Sequence, residues 1–160
     1  MGGITLSANG ECLTGLWLDG QKYFARTLPA EHEEKELPIF RETRAWLDSY
    51  FRGNIPRLTP PLYLDDTPFR ISVWKLLQQI PYGETITYKD IAREIARQRG
   101  MKDMSSQAIG GAVGHNPVSI IIPCHRVVGT DGSLTGYAGG VGKKKWLLEW
   151  EKENTTGSRR

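Results

Sequence analysis

The sequence has little of what metal and disulfide proteins are built from. Its 160 residues hold two cysteines, Cys12 and Cys124, and three histidines, His32, His115 and His125. Neither cysteine belongs to a Cys-x-x-Cys pair, and a structural zinc site gathers about four ligands, so no metal and no cofactor are expected. A single disulfide could form at most, and an intracellular chain keeps its thiols reduced. Long apolar runs are missing too. None approaches the roughly 20 residues that cross a bilayer, so no membrane partner is expected. Met1–Leu13 lacks a charged start followed by an apolar stretch, so no signal peptide is read. The expected location is cytoplasmic, or nuclear in a nucleated cell. No internal repeat is present. Cys12 is expected at a buried strand position.

Charge is present but unevenly placed. Residues 1–67 carry 7 Lys+Arg against 10 Asp+Glu, a net −3, whereas residues 68–160 carry 14 against 8, a net +6. A basic C-terminal half fits binding of a polyanion through one half of the molecule. An ordinary fluctuation of surface charge gives the same numbers.

The chain organises into an acidic mixed α/β half (1–54), a linker (55–67), a basic half (68–153) and a tail expected to be disordered (154–160). Asn9-Gly10 between two alternating runs predicts a hairpin, with a third strand near Gln21–Arg26. Pro38–Phe51 places Phe40, Trp46, Leu47, Tyr50 and Phe51 at helical spacing, and Gly53 stops that helix. Four prolines between Asn54 and Pro68 favour extended chain. Thr67-Pro68 caps a helix whose core stripe is Phe69, Val73, Trp74, Leu76, Leu77 and Ile80. Thr85–Thr87 suggests a short strand. A helix with Ile91, Ala92, Ile95 and Ala96 facing inward and another starting near Ser105 read as a helix-turn-helix. A β-branched run, Val118–Ile122, leads into Pro123-Cys124-His125. A glycine-rich loop or wing follows. A last amphipathic helix is expected to bury Val141, Trp146, Leu147 and Trp150.

Cys124 is the candidate nucleophile. A thiol reacts as thiolate and is mostly protonated at neutral pH, so it needs a base or a positive environment. His125 is adjacent, and a triad needs a third group to orient it; Glu149, Glu151 and Asp131 all qualify by residue type. Pro123 forces Ile122 into extended conformation. The competing reading is a buried structural cysteine after a strand, with His125 pointing the opposite way.

Pro123-Cys124-His125-Arg126-Val127-Val128 resembles the active-site motif of the O6-alkylguanine-DNA alkyltransferases, also called methylated-DNA–protein-cysteine methyltransferases. Asn116-Pro117 lies just upstream, as in that family. Gly83-Glu84-Thr85-Ile86-Thr87-Tyr88 resembles its G-E-x-x-[ST]-Y segment. Tyr137, Gly139, Gly140, Lys144, Trp146, Leu147, Leu148 and Glu151 fall on its C-terminal pattern. The resemblance covers roughly residues 65–151. It implies an α+β fold, with a ribonuclease-H-like N-terminal domain and a C-terminal winged helix-turn-helix. The implied reaction is irreversible, single-turnover transfer of an alkyl group from O6-alkylguanine to Cys124 after base flipping. Double-stranded DNA carrying the lesion is the implied partner, and a monomer is expected.

The resemblance also implies roles for individual residues. Cys124 accepts the alkyl group. His125 acts through a bridging water, Glu151 orients it, and Asn116 fixes the Cys124 segment. Tyr88 donates to the guanine ring. The Cys124 and Val127 backbone accepts the guanine amino group, while Tyr137, Ala138 and Gly139 close the pocket. Arg126 serves structure. Lys144 is expected to be structural or at the pocket rim. Gln107, Ala108 and Gly110 lie on the recognition helix, and Lys89, Lys102, Arg70 and Thr130 are candidate phosphate contacts. The small residues Ala108, Gly110, Gly111, Ala112 and Gly114 suit either close approach to DNA or packing on a neighbouring helix. Two positions depart from the family pattern. Gln107 stands where an arginine usually fills the gap left by the flipped base, and Ala138 stands where some members have serine. Three other functions compete: a reader of alkylated guanine without repair, which would lack the cysteine; a winged-helix regulator; and a Cys-His-Glu hydrolase, which would turn over.

Overall fold

Gly10 adopts φ +117°, a backbone region that L side chains resist, and so turns the chain after Asn9. The flanking runs pair as an antiparallel hairpin, β1 (Ile4–Ala8) against β2 (Leu13–Leu18), with Ile4 opposite Leu18 and an irregular register at Ser7/Ala8. The computed structural model describes residues 1–134 and 136–157. Cys12 lies in the turn between the strands and is half-buried, not at a buried strand position.

The third strand expected over Gln21–Arg26 does not form. The segment is a run of turns, with Tyr23 and Ala25 both at φ 57°. Its hydrogen-bonding groups are satisfied elsewhere. Gln21 Oε1 accepts from the Leu18 N–H and from Ser119 Oγ, both at 2.9 Å, and the Lys22 N–H donates to the Ala138 carbonyl at 3.0 Å.

Helix α1 (Pro38–Phe51) buries Ile39, Thr43, Leu47 and Tyr50, and ends where Gly53 takes φ +93°. The proline-rich stretch is extended and docks on the hairpin: Leu13 N–H donates to Pro61 O (2.8 Å) and Tyr63 N–H to Leu13 O (3.0 Å). Helices α2 (Pro68–Leu77), α3 (Tyr88–Gln98) and α4 (Ser106–Gly114) each begin at a side-chain cap. Thr67, Thr87 and Ser105 accept from the first-turn N–H groups of Arg70, Asp90 and Gln107 respectively. Ile91, Ala92, Ile95 and Ala96 are all buried, as their spacing predicts. The Trp74 indole donates to the Ala112 carbonyl at 2.8 Å and ties α2 to α4. A short strand, β3 (Ile86–Thr87), pairs in parallel with β4 (Val127–Val128).

Three further expectations need correction. Val118–Ile122 is not a strand. Val118 bridges to Leu16, but Ile120 turns the chain at φ 70°, unusual for a β-branched residue. The last helix, α5 (Val141–Gly157), runs four residues past Glu153, so 154–157 is helical; residues 158–160 lie outside the described residues. Along α5, Leu147 is buried but Val141 and Trp146 are 49% and 42% exposed. The buried positions are instead Lys144, Leu147 and Glu151. Trp146 stacks on Trp150 at 5.2 Å and lies against Phe51. The glycine-rich stretch is a loop, closed by Gly129 N–H to Ser133 O.

A single hydrophobic cluster draws on both halves, from Leu13, Leu16 and Leu47 to Val73, Ile95, Ile122 and Leu147. The architecture is mixed α/β, with two small sheets and five helices among the described residues. No helix there is long and apolar enough to cross a membrane.

Candidate active site around Cys124

Cys124 lies in a single 3-10 turn with His125 and Arg126, all three buried. A strand would have sent successive side chains to opposite faces; the turn removes that objection to cooperation between Cys124 and His125. The turn is held by Asn116, whose Nδ2 donates to the Ile122 carbonyl at 2.8 Å while its Oδ1 accepts from the Val118 N–H at 2.9 Å. The segment is also bound to β2: Leu16 N–H donates to Pro117 O at 2.8 Å and Ser119 N–H to Leu16 O at 3.0 Å. This clamp sustains the left-handed Ile120, a conformation that costs on the order of 1–3 kcal/mol.

Glu151, on α5, is the third group; Glu149 is exposed on the same helix and Asp131 is exposed in the loop. His125 Nε2 lies 2.6 Å from Glu151 Oε2. Arg126 donates Nε to Oε1 at 2.7 Å and Nη2 to Oε2 at 3.1 Å, with Nη1 on the Ile80 carbonyl at 2.7 Å. The Gly83 N–H reaches Oε1 at 3.2 Å, and the Tyr50 hydroxyl donates to Oε2 at 2.6 Å. Burial alone would raise the Glu151 carboxyl, but the hydrogen bonds and charges of His125 and Arg126 hold it well below the usual carboxylate range. An ionised carboxylate only accepts, so His125 presents Nε2–H to it. The other ring nitrogen, Nδ1, is buried and meets no hydrogen-bond partner among the described residues.

Burial depresses the His125 pKa, against the opposing pull of Glu151, and keeps the ring neutral. Burial pushes the Cys124 thiol up to about 11, opposed by a hydrogen bond from Asn116 and by the Lys144 charge. The resting pair is therefore thiol and neutral imidazole. Lys144 is fully buried, its ammonium 5.7 Å from the centre of the Tyr88 ring. Of the two places the sequence leaves open, structural or at the pocket rim, full burial agrees with the first. The signal was available: Lys144, Leu147 and Glu151 are spaced to share one helix face. Tyr50 lies outside the matched motifs, and helical spacing alone places it among the apolar residues of α1.

Tyr88 starts α3, half-buried; burial and the Cys124 charge raise its phenol pKa, so it stays a donor. A Cβ on Gly136 would come within 3.4 Å of its hydroxyl, which places Tyr88 against the 136–140 loop. In that loop Tyr137 is buried, and a Cβ on Gly139 would meet Leu18 Cδ1 and Tyr137 Cε2 at 2.8 Å. Val127 is buried on β4, its N–H donating to the Cys124 carbonyl. Thus Cys124, His125, Glu151, Asn116, Tyr88, Val127 and Tyr137 converge. A cavity of about 380 Å³ lies between the loop (Gly136, Tyr137, Ala138, Gly140) and α4 (Gly110, Gly111, Gly114).

The expected DNA contacts are more scattered. Gln107 and Ala108 are exposed and Gly110 half-exposed on α4, while Lys89, Lys102 and Thr130 are exposed elsewhere. Arg70 is engaged by Asp66 at 3.5 Å. Added Cβ atoms on Gly110, Gly111 and Gly114 would touch nothing within 4 Å, so internal packing does not require those glycines. Ala112, by contrast, is buried beneath Trp74. No cluster of metal-binding side chains occurs among the described residues.

Comparison with known proteins decides the family. The model described as "6-O-methylguanine DNA methyltransferase, DNA binding domain" matches residues 68–153. The chain belongs to the 6-O-methylguanine DNA methyltransferase family. A methylated-DNA–protein-cysteine methyltransferase of Methanosarcina barkeri is 43% identical, over 96% of this chain and 93% of that protein. One from Haemophilus influenzae is 37% identical over 95% and 82%. A crystal structure of Mycobacterium tuberculosis OGT in complex with DNA superposes with a TM-score of 0.81 at 39% identity, covering 94% of this chain and 87% of that one. The methyltransferase family match contains Cys124, His125, Glu151, Asn116, Tyr88 and Lys144, but not Tyr50.

Proposed function

We propose that this protein repairs DNA by moving the alkyl group of an O6-alkylguanine onto the sulfur of Cys124, once per molecule. The carrying observation is the 2.6 Å contact between His125 Nε2 and Glu151, which leaves Nδ1 as the basic end of an imidazole on the same turn as a buried thiol. The similarity to methylated-DNA–protein-cysteine methyltransferases and to an OGT bound to DNA supports the substrate.

The chemistry balances with side chains alone. The thiol proton passes to His125 Nδ1, by way of water. Sulfur attacks the alkyl carbon, an S–C bond forms, and the C–O6 bond breaks with its electron pair left on the purine. Tyr88 donates a hydrogen bond or proton to that ring as negative charge develops, and the Ala138 backbone N–H serves near O6; such donors act most strongly in a dry site. The Lys144 charge favours the thiolate over the thiol. Asn116 and Arg126 hold the turn and the carboxylate. The purine anion takes up one proton, replacing the one the thiol gave up, directly from Tyr88, which is then recharged from the His125 imidazolium or from solvent. The products are guanine and a thioether, which has no leaving group for water to displace, so the protein is consumed.

In this reading residues 68–153 act as the winged helix-turn-helix unit and residues 1–54, the ribonuclease-H-like part by resemblance, brace it. Gln107, Ala108 and Gly110 face the duplex, with Lys89, Lys102 and Thr130 on phosphates. Arg70 joins them only by leaving Asp66. The protein acts as a monomer on duplex DNA.

The test is the intact mass of the protein after incubation with a duplex carrying O6-methylguanine. The expected result is one methyl group, on the Cys124 peptide, and none in Cys124→Ser. Repeated turnover without an adduct would indicate a hydrolase instead. Binding with no mass change would indicate a reader.

A further inference from the structure

Helix α1, in the half of the chain that carries no family motif, carries in its last turn a phenol that touches the carboxylate holding His125. We infer that Tyr50 is a positioning residue for alkyl transfer, so that the N-terminal half completes the Cys124 site instead of merely covering it. The inference rests on the alkyl-transfer reading above and adds a residue to its machinery.

Tyr50 is fully buried, and its hydroxyl donates to Glu151 Oε2 at 2.6 Å across 101 residues of chain. That same oxygen faces His125 Nε2 at 2.6 Å and Arg126 Nη2 at 3.1 Å. The ring has little freedom. It stacks on Trp46 at 5.5 Å and meets Phe51 and Tyr82 edge-on at 5.0 and 5.9 Å. The Tyr50 carbonyl accepts from the Trp150 indole at 3.0 Å, so backbone and side chain are both fixed to α5. Burial, with the Glu151 charge, keeps the phenol protonated and therefore a permanent donor.

Two consequences follow from ordinary hydrogen-bond chemistry. Donors on both oxygens fix the plane of the carboxylate, and with it the imidazole and the direction of Nδ1. Each donor also disperses carboxylate charge, which weakens its pull on an imidazolium proton. The groups facing Glu151 are His125 and Arg126 from the Cys124 turn, Tyr82 and the Gly83 N–H from the loop after α2, and Tyr50 from α1. Lys144 and Arg126 face His125 with positive charge. Tyr50 acts with those cations: it keeps His125 neutral, and only neutral imidazole takes the thiol proton. Removing its oxygen leaves more charge on Glu151 and raises the His125 pKa.

The experiment measures the single-turnover rate of methyl transfer from an O6-methylguanine duplex, at saturating protein, between pH 5 and 9. Tyr50→Phe keeps the ring and loses one oxygen. Thr43→Val is the control: among the described residues its hydroxyl, also buried on α1, bonds only the Ile39 carbonyl at 2.8 Å, away from the site. Tyr50→Phe is expected to move the acid limb of the profile upward by up to about one unit, and so to slow transfer by up to about tenfold at pH values below that limb, with duplex affinity unchanged. Thr43→Val should leave the profile in place. A folded Tyr50→Phe protein with the wild-type rate and profile overturns the inference, as does one that only matches Thr43→Val. Should Tyr50→Phe fail to fold, 3-fluorotyrosine at position 50 keeps the packing and donates more strongly. It should move the acid limb downward, and an unmoved limb overturns the inference. If the wild-type protein gains no methyl at all, it is the alkyl-transfer reading that fails. The effect of Tyr50 on His125 is then read by nitrogen-15 NMR titration of the ring, where an unchanged His125 in Tyr50→Phe rejects it.

Discussion

Asn116 Nδ2 donates to the carbonyl of Ile122 at 2.8 Å, and the amide so placed closes a loop whose next residues are Pro123 and Cys124. The loop turns through Ile120 at φ 70° and is sealed on its other side by Val118 N–H on Asn116 Oδ1 at 2.9 Å. Asn116→Ala leaves the buried Val118 N–H without its partner and takes one of two donors from the Ile122 carbonyl, which keeps the Cys124 N–H at 2.8 Å; one unpaired buried N–H costs about 1–3 kcal/mol. The expected loss of stability is roughly 1–3 kcal/mol, with transfer to Cys124 falling further than folding alone explains. Urea midpoints and single-turnover rates check this; a midpoint within experimental error of wild type would contradict it.

Lys144→Met tests the buried ammonium. Burial depresses the Lys144 pKa, so the charge is held at a desolvation cost, while the Cys124 charge pulls the other way. Methionine of similar length removes that cost, so the thermal midpoint should stay level or rise. The thiol, already at about 11, should become harder to ionise. Transfer near pH 7 should fall at least about tenfold, the equivalent of one pKa unit. A variant as fast as wild type would remove Lys144 from the chemistry.

Acid should destabilise the fold in two overlapping windows. His125 and Glu151 both have folded pKa values below their ordinary 6.5 and 4.5. The folded state therefore binds fewer protons than the unfolded state as pH falls. The stability from each group is complete above its ordinary value and is lost as pH drops toward its folded value. Urea midpoints should fall from about pH 6.5 downward, with a slope near 1.4 kcal/mol per pH unit for each proton involved. Glu151→Gln should flatten the part below pH 4.5. A flat profile between pH 7 and 4 would refute the assignment.

Gly111 and Gly139 should respond in opposite ways to alanine. On α4 an added Cβ at Gly111 meets nothing within 4 Å, so Gly111→Ala should stabilise the helix by up to about 1 kcal/mol. If that face approaches DNA, the same change weakens duplex binding. At Gly139 the Cβ would strike Leu18 and Tyr137 at 2.8 Å, so Gly139→Ala should cost roughly 1–3 kcal/mol and slow transfer. Melting curves and duplex titrations at fixed salt decide both; tighter binding by Gly111→Ala would put the duplex elsewhere.

Gln107→Arg should strengthen duplex binding and steepen its salt dependence by nearly one unit of log–log slope, as one more phosphate contact would. If arginine instead fills the gap left by the flipped base, affinity rises with a smaller change in slope. Unchanged or weaker binding at matched salt would show that position 107 does not reach DNA.

Much of this was legible along the chain because the relevant physics is local. Thr67 caps a helix as its place before Pro68 suggests, a helix begins at Ser105, and the inward face of α3 follows from spacing; on α1 spacing gives Leu47 and Tyr50 but not Ile39 and Thr43. The segments around Cys124, Tyr88 and Tyr137 could be matched because their motifs are contiguous. Gln21–Arg26 misled because its polar groups are satisfied by Ser119 and Ala138, about a hundred residues away. Val118–Ile122 misled because the Asn116 clamp overrides β propensity.

The sequence by itself determined the helices, the hairpin and the family, since caps, periodicity and a contiguous motif act over a few residues. Tertiary structure alone decided that Lys144 is buried, that Ile120 turns left-handed, and that Tyr50 donates to Glu151. Those outcomes depend on which surfaces meet when α1, α5 and the Cys124 turn pack together, and no local pattern encodes the distance between a phenol and a carboxylate 101 residues apart.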